Sequence, residues 1–311
     1  MKVIYITKFF FPNIGGVENH VLQTVKKANI NGINTVVICS KTMSTMSFKK
    51  GKFKSIDIEI KHIDYPKTKI FGLIYIWNWL IRNKNLLAGV KVVHVHDVML
   101  WAIPLRILFP SLKFIVTFHG WEEIWPIPFK NILIRKLVKK LSSYSYSVGH
   151  YVDKYYRIKS NKIIYGAADI HNYKNQKDGN RIVYVGRLEE NTGLLKFLKW
   201  LDNNPGFKVD FCGDGNLRSE CERYGEVHGF TDPNPFYKTC KTVVPGGYLA
   251  ALEALNSGCD IKLFWNNKLK EDYWKMSPFY KLNGDKLKKW ARAQTWEKLA
   301  NEYINLYNSI K

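Results

Sequence analysis

Three side chains follow predicted strands or glycine turns at positions where they could bind an anionic ligand. Arg187 comes directly after a predicted strand and Gly186, and the planar arginine fork suits a diphosphate because it donates two parallel hydrogen bonds. His119 ends another predicted strand, where either a ligand contact or a structural role fits. Glu253 follows Pro245–Gly247 on a predicted helix. Its carboxylate can accept hydrogen bonds from a ribose, or it can be a surface glutamate in an ion pair.

A glycine pair, Gly15–Gly16, separates the first predicted strand from the first predicted helix. Glycine lets the backbone approach a ligand closely, and a helix N-terminus offers free N–H groups to an anion. Many strand-to-helix turns carry glycine for steric reasons alone, so the pair fits either interpretation. The loop is not the dinucleotide-binding fingerprint, because the spacing Gly-x-Gly-x-x-Gly is absent.

Metal and disulfide chemistry are disfavoured by residue spacing. His94 and His96 share one face of a predicted strand, whereas His94 and Asp97 point to opposite faces, so the three do not form a ligand set. The five cysteines are odd in number, widely spaced and without a Cys-x-x-Cys pair. A reducing interior is therefore expected rather than a disulfide framework or a zinc site.

Short apolar runs alternate with helical patterns along the whole chain, which is typical of parallel α/β sheets with right-handed crossovers. Val17, Val21, Val25 and Ala28 recur at helical spacing after the first strand, and Gly32 ends that helix. The predicted strands are Val3–Ile6, Thr35–Cys39, Ile56–Ile60, Val92–Val95, Phe114–Phe118, Tyr144–Val148, Arg181–Val185, Val209–Cys212, Lys241–Val244 and Ile261–Phe264.

Two domains are expected from a length of 311 residues. The polar stretch Asn172–Asn180 has almost nothing to bury and marks the boundary. We predict an N-terminal Rossmann-like domain over residues 1–170, a C-terminal one over 171–285, and a helix over 286–311 that packs back on the N-terminal domain. In open α/β sheets, ligands bind beyond the carboxyl ends of the strands. If two such domains face each other, the loops that follow the carboxyl ends of their strands line a central cleft.

The net charge of +22 favours polyanionic partners: anionic lipid head groups, nucleic acid or phosphorylated substrates. Solvated lysines in a lysine-rich composition account for it equally well. Ile70–Ile81 is apolar but too short to span a bilayer. The chain opens on a predicted buried strand rather than a signal peptide. A cytoplasmic location is therefore predicted, with the inner face of the membrane as an alternative site of action.

Several short motifs, in order along the chain, resemble those of family 4 glycosyltransferases of the GT-B fold. Each is weak alone, but together they span most of the sequence. They are Gly15–His20, Thr117–Gly120, Tyr184–Leu188 with Gly193–Leu195, Phe211–Gly215, Val227–Phe230 and Val244–Gly258.

The resemblance implies retaining transfer of a sugar from a nucleotide-diphosphate sugar, with no required cofactor and no metal. Such catalysis depends on fixed positive dipoles and an arginine that stabilise the anionic leaving group. The implied roles are a close approach of Gly15 and Gly16 to the diphosphate or sugar, a sugar contact for His119, a diphosphate clamp for Arg187, backbone N–H contacts from Tyr248, Leu249 and Ala250, a ribose contact for Glu253 and a base contact near Phe230.

Two positions depart from the family pattern. Thr192 stands where the family has a lysine that shares the diphosphate clamp, and Pro245 stands where it has a glutamate that contacts the sugar. An unusual donor, a different binding geometry or a degenerate, non-catalytic nucleotide-sugar-binding module would each explain these departures.

The acceptor is predicted to be a glycan or a lipid-linked molecule bound by the N-terminal domain. Trp121–Leu141 mixes tryptophan, aliphatic and basic residues, which suits a membrane surface, although an amphipathic helix packed on the sheet fits the pattern as well. Modification of nucleic acid is the alternative that the basic charge allows.

Overall fold

The computed structural model describes residues 1–13, 15–41, 58–66, 69–122, 124–171, 173 and 177–310. Its strands are β1 (Lys2–Thr7), β2 (Asn34–Ser40), β3 (Glu59–Ile63), β4 (Val90–His96), β5 (Lys113–Phe118), β6 (Tyr144–Val148), β7 (Lys162–Ile164), β8 (Asp178–Val185), β9 (Lys208–Cys212), β10 (Gly225–Val227), β11 (Cys240–Pro245) and β12 (Asp260–Ile261).

Helices alternate with these strands, and short 3₁₀ turns lie at Lys84–Leu87 and Glu190–Thr192. The helices are α1 (Gly16–Ile30), α2 (Lys69–Arg82), α3 (Met99–Leu108), α4 (Phe129–Leu141), α5 (His150–Tyr156), α6 (Leu194–Asp202), α7 (Arg218–Glu222), α8 (Asn234–Tyr237), α9 (Tyr248–Asn256), α10 (Lys268–Lys275), α11 (Pro278–Lys281), α12 (Gly284–Arg292) and α13 (Trp296–Ser309).

The chain divides into two compact units. The first contains residues 1–148, 152–164 and 296–311, and the second contains residues 149–151 and 165–295. The predicted boundary after residue 170 lies a few residues beyond this division. The predicted third segment, residues 286–311, is shared between the two units rather than forming one helix, because α12 belongs to the second unit and α13 to the first.

The first unit is built on a seven-stranded sheet in the order β3-β2-β1-β4-β5-β6-β7, with all neighbouring strands parallel. The interior strand β1 is buried from Val3 to Thr7, as expected for a strand with helices on both faces. In α1, Val21, Val25 and Ala28 are buried, so the predicted helical stripe faces the core.

Helix α13 completes the first unit through buried tyrosines. The Tyr307 hydroxyl lies 2.9 Å from the Tyr5 hydroxyl and 2.6 Å from Nδ1 of His94. The Tyr303 hydroxyl lies 2.9 Å from Nε2 of His20 on α1. These bonds satisfy polar groups that the sheet and α1 would otherwise bury without a partner.

The second unit is built on a five-stranded parallel sheet in the order β10-β9-β8-β11-β12. Along β8, Ile182 and Tyr184 belong to one apolar cluster with Phe197 of α6, while Val183 belongs to another with Ala254 of α9. Successive side chains of a strand point to opposite faces. Both faces of the second sheet are therefore covered by apolar packing.

Predicted and observed elements differ mainly at short edge strands. The last predicted strand, Ile261–Phe264, is wrong in extent, because β12 pairs with β11 only over Asp260–Ile261. The predicted strand Ile56–Ile60 is shifted in the structure to Glu59–Ile63, and residues 56–57 lie outside the described part. Residues 172 and 174–176 of the predicted linker also lie outside it, whereas Tyr173, Lys177 and the start of β8 are described.

We expect Tyr307→Phe to destabilise the first unit by about 1–3 kcal/mol, because it leaves buried polar groups on His94 and Tyr5 without their partner. Urea unfolding monitored by circular dichroism measures this change. As a matched control, Tyr280→Phe removes a hydroxyl from a half-exposed tyrosine of the second unit and should stay within about 0.5 kcal/mol of wild type. Equal effects of the two substitutions would contradict the structural role of Tyr307.

Candidate functional site

Three loops meet at the carboxyl edge of the second sheet. Gly186 and Arg187 follow β8, Gly213–Gly215 follow β9, and Gly246–Gly247 follow β11 and lead into α9. The strands β9, β8 and β11 are neighbours in the sheet. The loops are therefore adjacent, at the edge where α/β sheets bind their ligands.

The glycines of these loops allow backbone contacts that side chains would prevent. A Cβ on Gly213 would lie 1.8 Å from the Gly186 carbonyl oxygen, and a Cβ on Gly186 would lie 2.9 Å from Cα of Gly246. Gly186 also has a φ of +156°, at the border of the region that side chains rarely adopt. The loop of Arg187 is thereby held directly against the loop that precedes α9.

Arg187 lies at this edge with its side chain 46% exposed, and its Nη1 is 3.2 Å from Oε2 of Glu189. An exposed ion pair of this kind contributes little stability. The half-exposed guanidinium lies where the predicted clamp would place it, and this ion pair by itself would cost little to exchange for a diphosphate.

The N-terminus of α9 is partly used by the protein itself. The Tyr248 N–H donates to the Tyr273 hydroxyl at 2.7 Å, and the two rings stack with centroids 3.8 Å apart. The predicted cradle of three N–H groups therefore has its first donor already bound in this structure. The N–H groups of Leu249 and Ala250 come next in the same first turn, where an α-helix has no internal partners for them.

Glu253 and Phe230 belong to the same unit and are both partly buried. The Tyr237 hydroxyl donates to Oε2 of Glu253 at 3.3 Å. Burial raises the pKa of Glu253 to about 7, against the lowering effect of this hydrogen bond, and the charges of Asp232 and Asp169 raise it further. Phe230 follows Gly229, which forms an isolated bridge with Gly213 of the β9 loop. The loop of Phe230 is thus directly connected to the loop that follows β9.

The two positions that depart from the family pattern are structural in this chain. Oγ1 of Thr192 donates to the Glu189 carbonyl at 2.6 Å and lies 2.8 Å from the Tyr184 hydroxyl, so this buried side chain is held inside its turn. Pro245 ends β11 in register with Val185 and is buried. Neither residue supplies a charge or a side-chain acceptor to a ligand.

Lys270 is a second cation near Arg187 that sequence reasoning missed. Its ammonium donates to the Gly246 carbonyl at 2.8 Å. Burial lowers the pKa of Lys270 to about 7, and the charge of Arg187 lowers it further. No motif marks this lysine, which is one of 48 basic residues in the chain.

His119 lies in a cluster of uncharged histidines in the first unit. Its Nε2 is 2.7 Å from Nδ1 of His96, and the His94 and His96 rings stack with centroids 4.4 Å apart, so the predicted shared face of these two residues is confirmed. Burial lowers the pKa of His119 to about 3, helped by charge interactions with His94 and Arg135. His119 is therefore a neutral ring near pH 7, suited to hydrogen bonding rather than to donating a proton.

Asp97 holds His119 in place and was not predicted to do so. Its Oδ1 accepts the backbone N–H of His119 at 3.0 Å, and its φ is +61°, a strained value for a residue with a side chain. Burial raises the pKa of Asp97 to about 6, against the charge of Arg135. Arg135 in turn pairs with Glu122 at 3.1 Å and lies over the Tyr156 ring.

The predicted glycine loop lies beside Glu18 at the start of α1. A Cβ on Gly15 would lie 2.1 Å from Oε2 of Glu18, the flexible end of a side chain that can move aside, so this contact alone does not require glycine. Gly16, the first residue of α1, is exposed. A ligand contact by this pair stays a prediction.

Two side-chain groups have ligand atoms close enough to suggest a metal site. His20, His96 and His119 form the first, but ring nitrogens of this trio already bond to one another or to Tyr303. Asp210, Glu226 and His228 form the second, in which Asp210 already pairs with Arg181 at 2.7 Å and with His228 at 2.9 Å. Hydrogen bonds and ion pairs engage part of each group, whereas the buried Nε2 of His96 has no hydrogen-bond partner.

The fold and the site together define a GT-B glycosyltransferase. Sucrose-phosphate synthase from Thermosynechococcus elongatus matches with a TM-score of 0.76 and 14% identity, covering 99% of this chain and 98% of that chain. HepE from Anabaena, in complex with UDP, matches with a TM-score of 0.68 and 12% identity, covering 99% and 100%. The lipopolysaccharide outer core galactosyltransferase WaaB matches with a TM-score of 0.63 and 16% identity, covering 98% and 99%.

Residues 14–166 match the family model described as Glycosyltransferase Family 4. This match bears out the predicted resemblance to family 4 glycosyltransferases, and the structural matches confirm the predicted fold class of two doubly wound Rossmann-like units. No curated protein matches it by sequence. At identities this low, the structural matches show the fold and do not identify the donor or the acceptor.

We expect the stabilising effect of His94 to decrease as the pH falls. Burial keeps its pKa well below the ordinary value, so the unfolded chain binds a proton below about pH 6.5 that the folded chain does not. The stability gap between wild type and His94→Gln should therefore shrink by about 2 kcal/mol from pH 7 to pH 5. Urea unfolding of both proteins at the two pH values measures the gap. A constant gap would mean that His94 has the same protonation in both states.

Proposed function

We propose that this glycosyltransferase transfers a sugar from a nucleoside-diphosphate sugar to a glycan or lipid-linked acceptor, with retention of anomeric configuration. The second unit, with residues 171–285 at its centre, binds the donor. The first unit, made largely of residues 1–170, binds the acceptor with α13 as part of its structure. No cofactor or metal takes part.

The proposal depends mainly on the groups that lie together at the carboxyl edge of the second sheet. There Arg187, the touching glycine loops and the N-terminus of α9 offer a guanidinium, close backbone and free N–H groups at one place. The bond that breaks in the reaction joins the sugar to an anionic diphosphate. Fixed positive groups stabilise that leaving group as charge develops on it.

The remaining site residues take roles that their environments allow. His119 is neutral, and its Nε2 is engaged by His96. Its Nδ1 can therefore exchange a hydrogen bond with a hydroxyl of the transferred sugar. Glu253 binds the ribose hydroxyls, and the backbone near Phe230 contacts the base. Gly15 and Gly16 approach the diphosphate or the sugar.

Relatives with known ligands or substrates support this assignment. HepE was crystallised with UDP, and WaaB is a galactosyltransferase of the lipopolysaccharide outer core. A nucleoside diphosphate as leaving group and a lipid-linked glycan as acceptor are the corresponding expectations for this chain.

Donor turnover tests the proposal directly. We expect the wild-type chain to release nucleoside diphosphate from one member of a panel of UDP-, GDP-, dTDP- and ADP-sugars. Arg187→Ala should lower this rate by roughly 100-fold or more, because a charged donor to the leaving group is lost. Arg223→Ala, which removes an exposed arginine from the same unit, should leave the rate unchanged.

The outcomes of this assay separate the alternatives. Nucleotide binding without release from any donor, tested with candidate glycan acceptors present, would indicate a non-catalytic nucleotide-sugar-binding module. If the chain neither bound nor hydrolysed any nucleotide sugar, the proposal would fail. Once a product is in hand, the coupling constant of its anomeric proton shows whether configuration is retained.

Helix α4 provides a surface that fits a membrane-bound acceptor. Phe129, Leu133 and Leu137 lie four residues apart and are 47–67% exposed, whereas Arg135 is buried on the opposite side. Lys130, Lys136 and Lys140 are exposed beside this apolar stripe. Apolar and basic side chains in this arrangement suit the interface of an anionic bilayer. No helix among the described residues is long and apolar enough to cross a membrane.

We expect the chain to float with vesicles that contain about one third anionic phosphatidylglycerol, and to stay in solution with neutral vesicles. Leu133→Glu should reduce binding to the anionic vesicles several-fold, because it places a negative charge in the apolar stripe. Ile30→Glu, which changes an exposed apolar residue on α1 of the same unit, is the matched control and should bind like wild type. Flotation gradients measure the bound fraction. Salt-sensitive binding to duplex DNA without vesicle binding would favour nucleic acid instead.

A further inference from the structure

Lys270 is a buried lysine near the N-terminus of α10. The side chain of Asn267 caps this helix by accepting the Lys270 N–H at 2.8 Å, which fixes the backbone of Lys270. The residue is only 6% exposed. Lysine side chains rarely have so little contact with water unless they have a partner.

The ammonium group of Lys270 reaches the loop that precedes α9. It donates to the Gly246 carbonyl at 2.8 Å and lies 4.0 Å from the centroid of the Tyr273 ring and 5.2 Å from that of Trp274. An ammonium has three N–H donors, and the carbonyl takes one of them. The aromatic faces stabilise the positive charge but leave its other hydrogen bonds unmade.

Among the described residues, no carboxylate pairs with Lys270. The neighbouring Glu271 is already shared by Lys268 at 2.9 Å and Lys275 at 2.6 Å. A buried charge without a counter-ion destabilises the folded protein. The guanidinium of Arg187 lies close enough to oppose protonation of Lys270, and this repulsion adds to the cost. An anion bound beside both groups would offset this repulsion and supply the counter-ion that Lys270 lacks.

We infer that Lys270 binds the diphosphate of the nucleotide sugar together with Arg187, as the second cation of the clamp. The inference rests on the proposed donor site in the second unit. It gives the chain a positive charge that Thr192, held inside its turn, does not supply. This charge is carried by a residue of α10, whose side chain reaches the donor site by its hydrogen bond to the Gly246 carbonyl.

The backbone contacts at the strand ends explain why these two cations act on one ligand. Arg187 directly follows Gly186, and Lys270 is bonded to Gly246. Gly186 and Gly246 are in contact, since a Cβ on either would lie within about 3 Å of the other residue's Cα. The two charged groups are therefore anchored to the same pair of touching residues.

Binding of inorganic pyrophosphate and of UDP, GDP, dTDP and ADP, measured by calorimetry at pH 7, tests the inference. Lys270→Gln keeps a donor for the Gly246 carbonyl but removes the charge, and Lys270→Met removes both. We expect each variant to bind pyrophosphate and the preferred nucleoside diphosphate about 10- to 100-fold more weakly than wild type, as for loss of a charged hydrogen bond. Affinity for the parent nucleoside, which has no phosphate, should not change.

Lys268→Gln is the matched control, because it removes the same charge from an exposed position of the same helix, and it should bind like wild type. The melting temperature of Lys270→Gln should equal or exceed that of wild type, since a buried unpaired charge is removed while the Gly246 carbonyl keeps a donor. Unchanged diphosphate affinity in a folded Lys270 variant would overturn the role of Lys270 while leaving the glycosyltransferase assignment intact. If wild type bound neither pyrophosphate nor any nucleoside diphosphate, the donor site itself would be wrong.

Discussion

Three glycine backbones touch at the carboxyl edge of the second sheet, and the candidate donor site depends on this contact. Gly213 and Gly246 both press against Gly186 at distances that no Cβ would permit. A side chain at any of these positions would push apart the loops after β8, β9 and β11. Arg187, Lys270 and the start of α9 would then no longer be held close together, because each is positioned by one of these loops.

Burial away from water changes the pKa values of titratable side chains in both units. In the first unit, burial keeps four histidines uncharged, so His119 is available for hydrogen bonding rather than for proton transfer. In the second unit, the ammonium of Lys270 is buried, and no carboxylate of the described part of the chain pairs with it. Both arrangements cost folding free energy in the absence of ligand. Groups held in this way are typical of functional sites, because a structural core would use apolar residues at the same positions.

The sheets and the strand-end residues were predictable from the sequence because apolar runs and glycines report directly on burial and backbone geometry. The predicted strands over Val92–Val95 and Tyr144–Val148 lie within or coincide with β4 and β6, and the stripe on α1 faces the core. The extent of β12 was overestimated, because an apolar run does not show where its pairing partner ends.

The contacts that tune the site were not predictable in the same way. The left-handed backbone of Asp97 and the use of the Tyr248 N–H by Tyr273 depend on residues distant in sequence. Lys270 could not be distinguished from other lysines, because its burial arises from Tyr273 and Trp274 packing around it after α10 forms.

Helix α13 has a consequence for the order of events during synthesis. It belongs to the first unit, yet the ribosome makes it only after the whole of the second unit. Until then, His20 and His94 lack the tyrosine hydroxyls that satisfy them, and the face of the sheet that α13 covers stays open. Domains generally fold as units during translation, with the N-terminal one first. Here the second unit can finish folding before the first, and the nascent first sheet is the stage most exposed to aggregation and to chaperones.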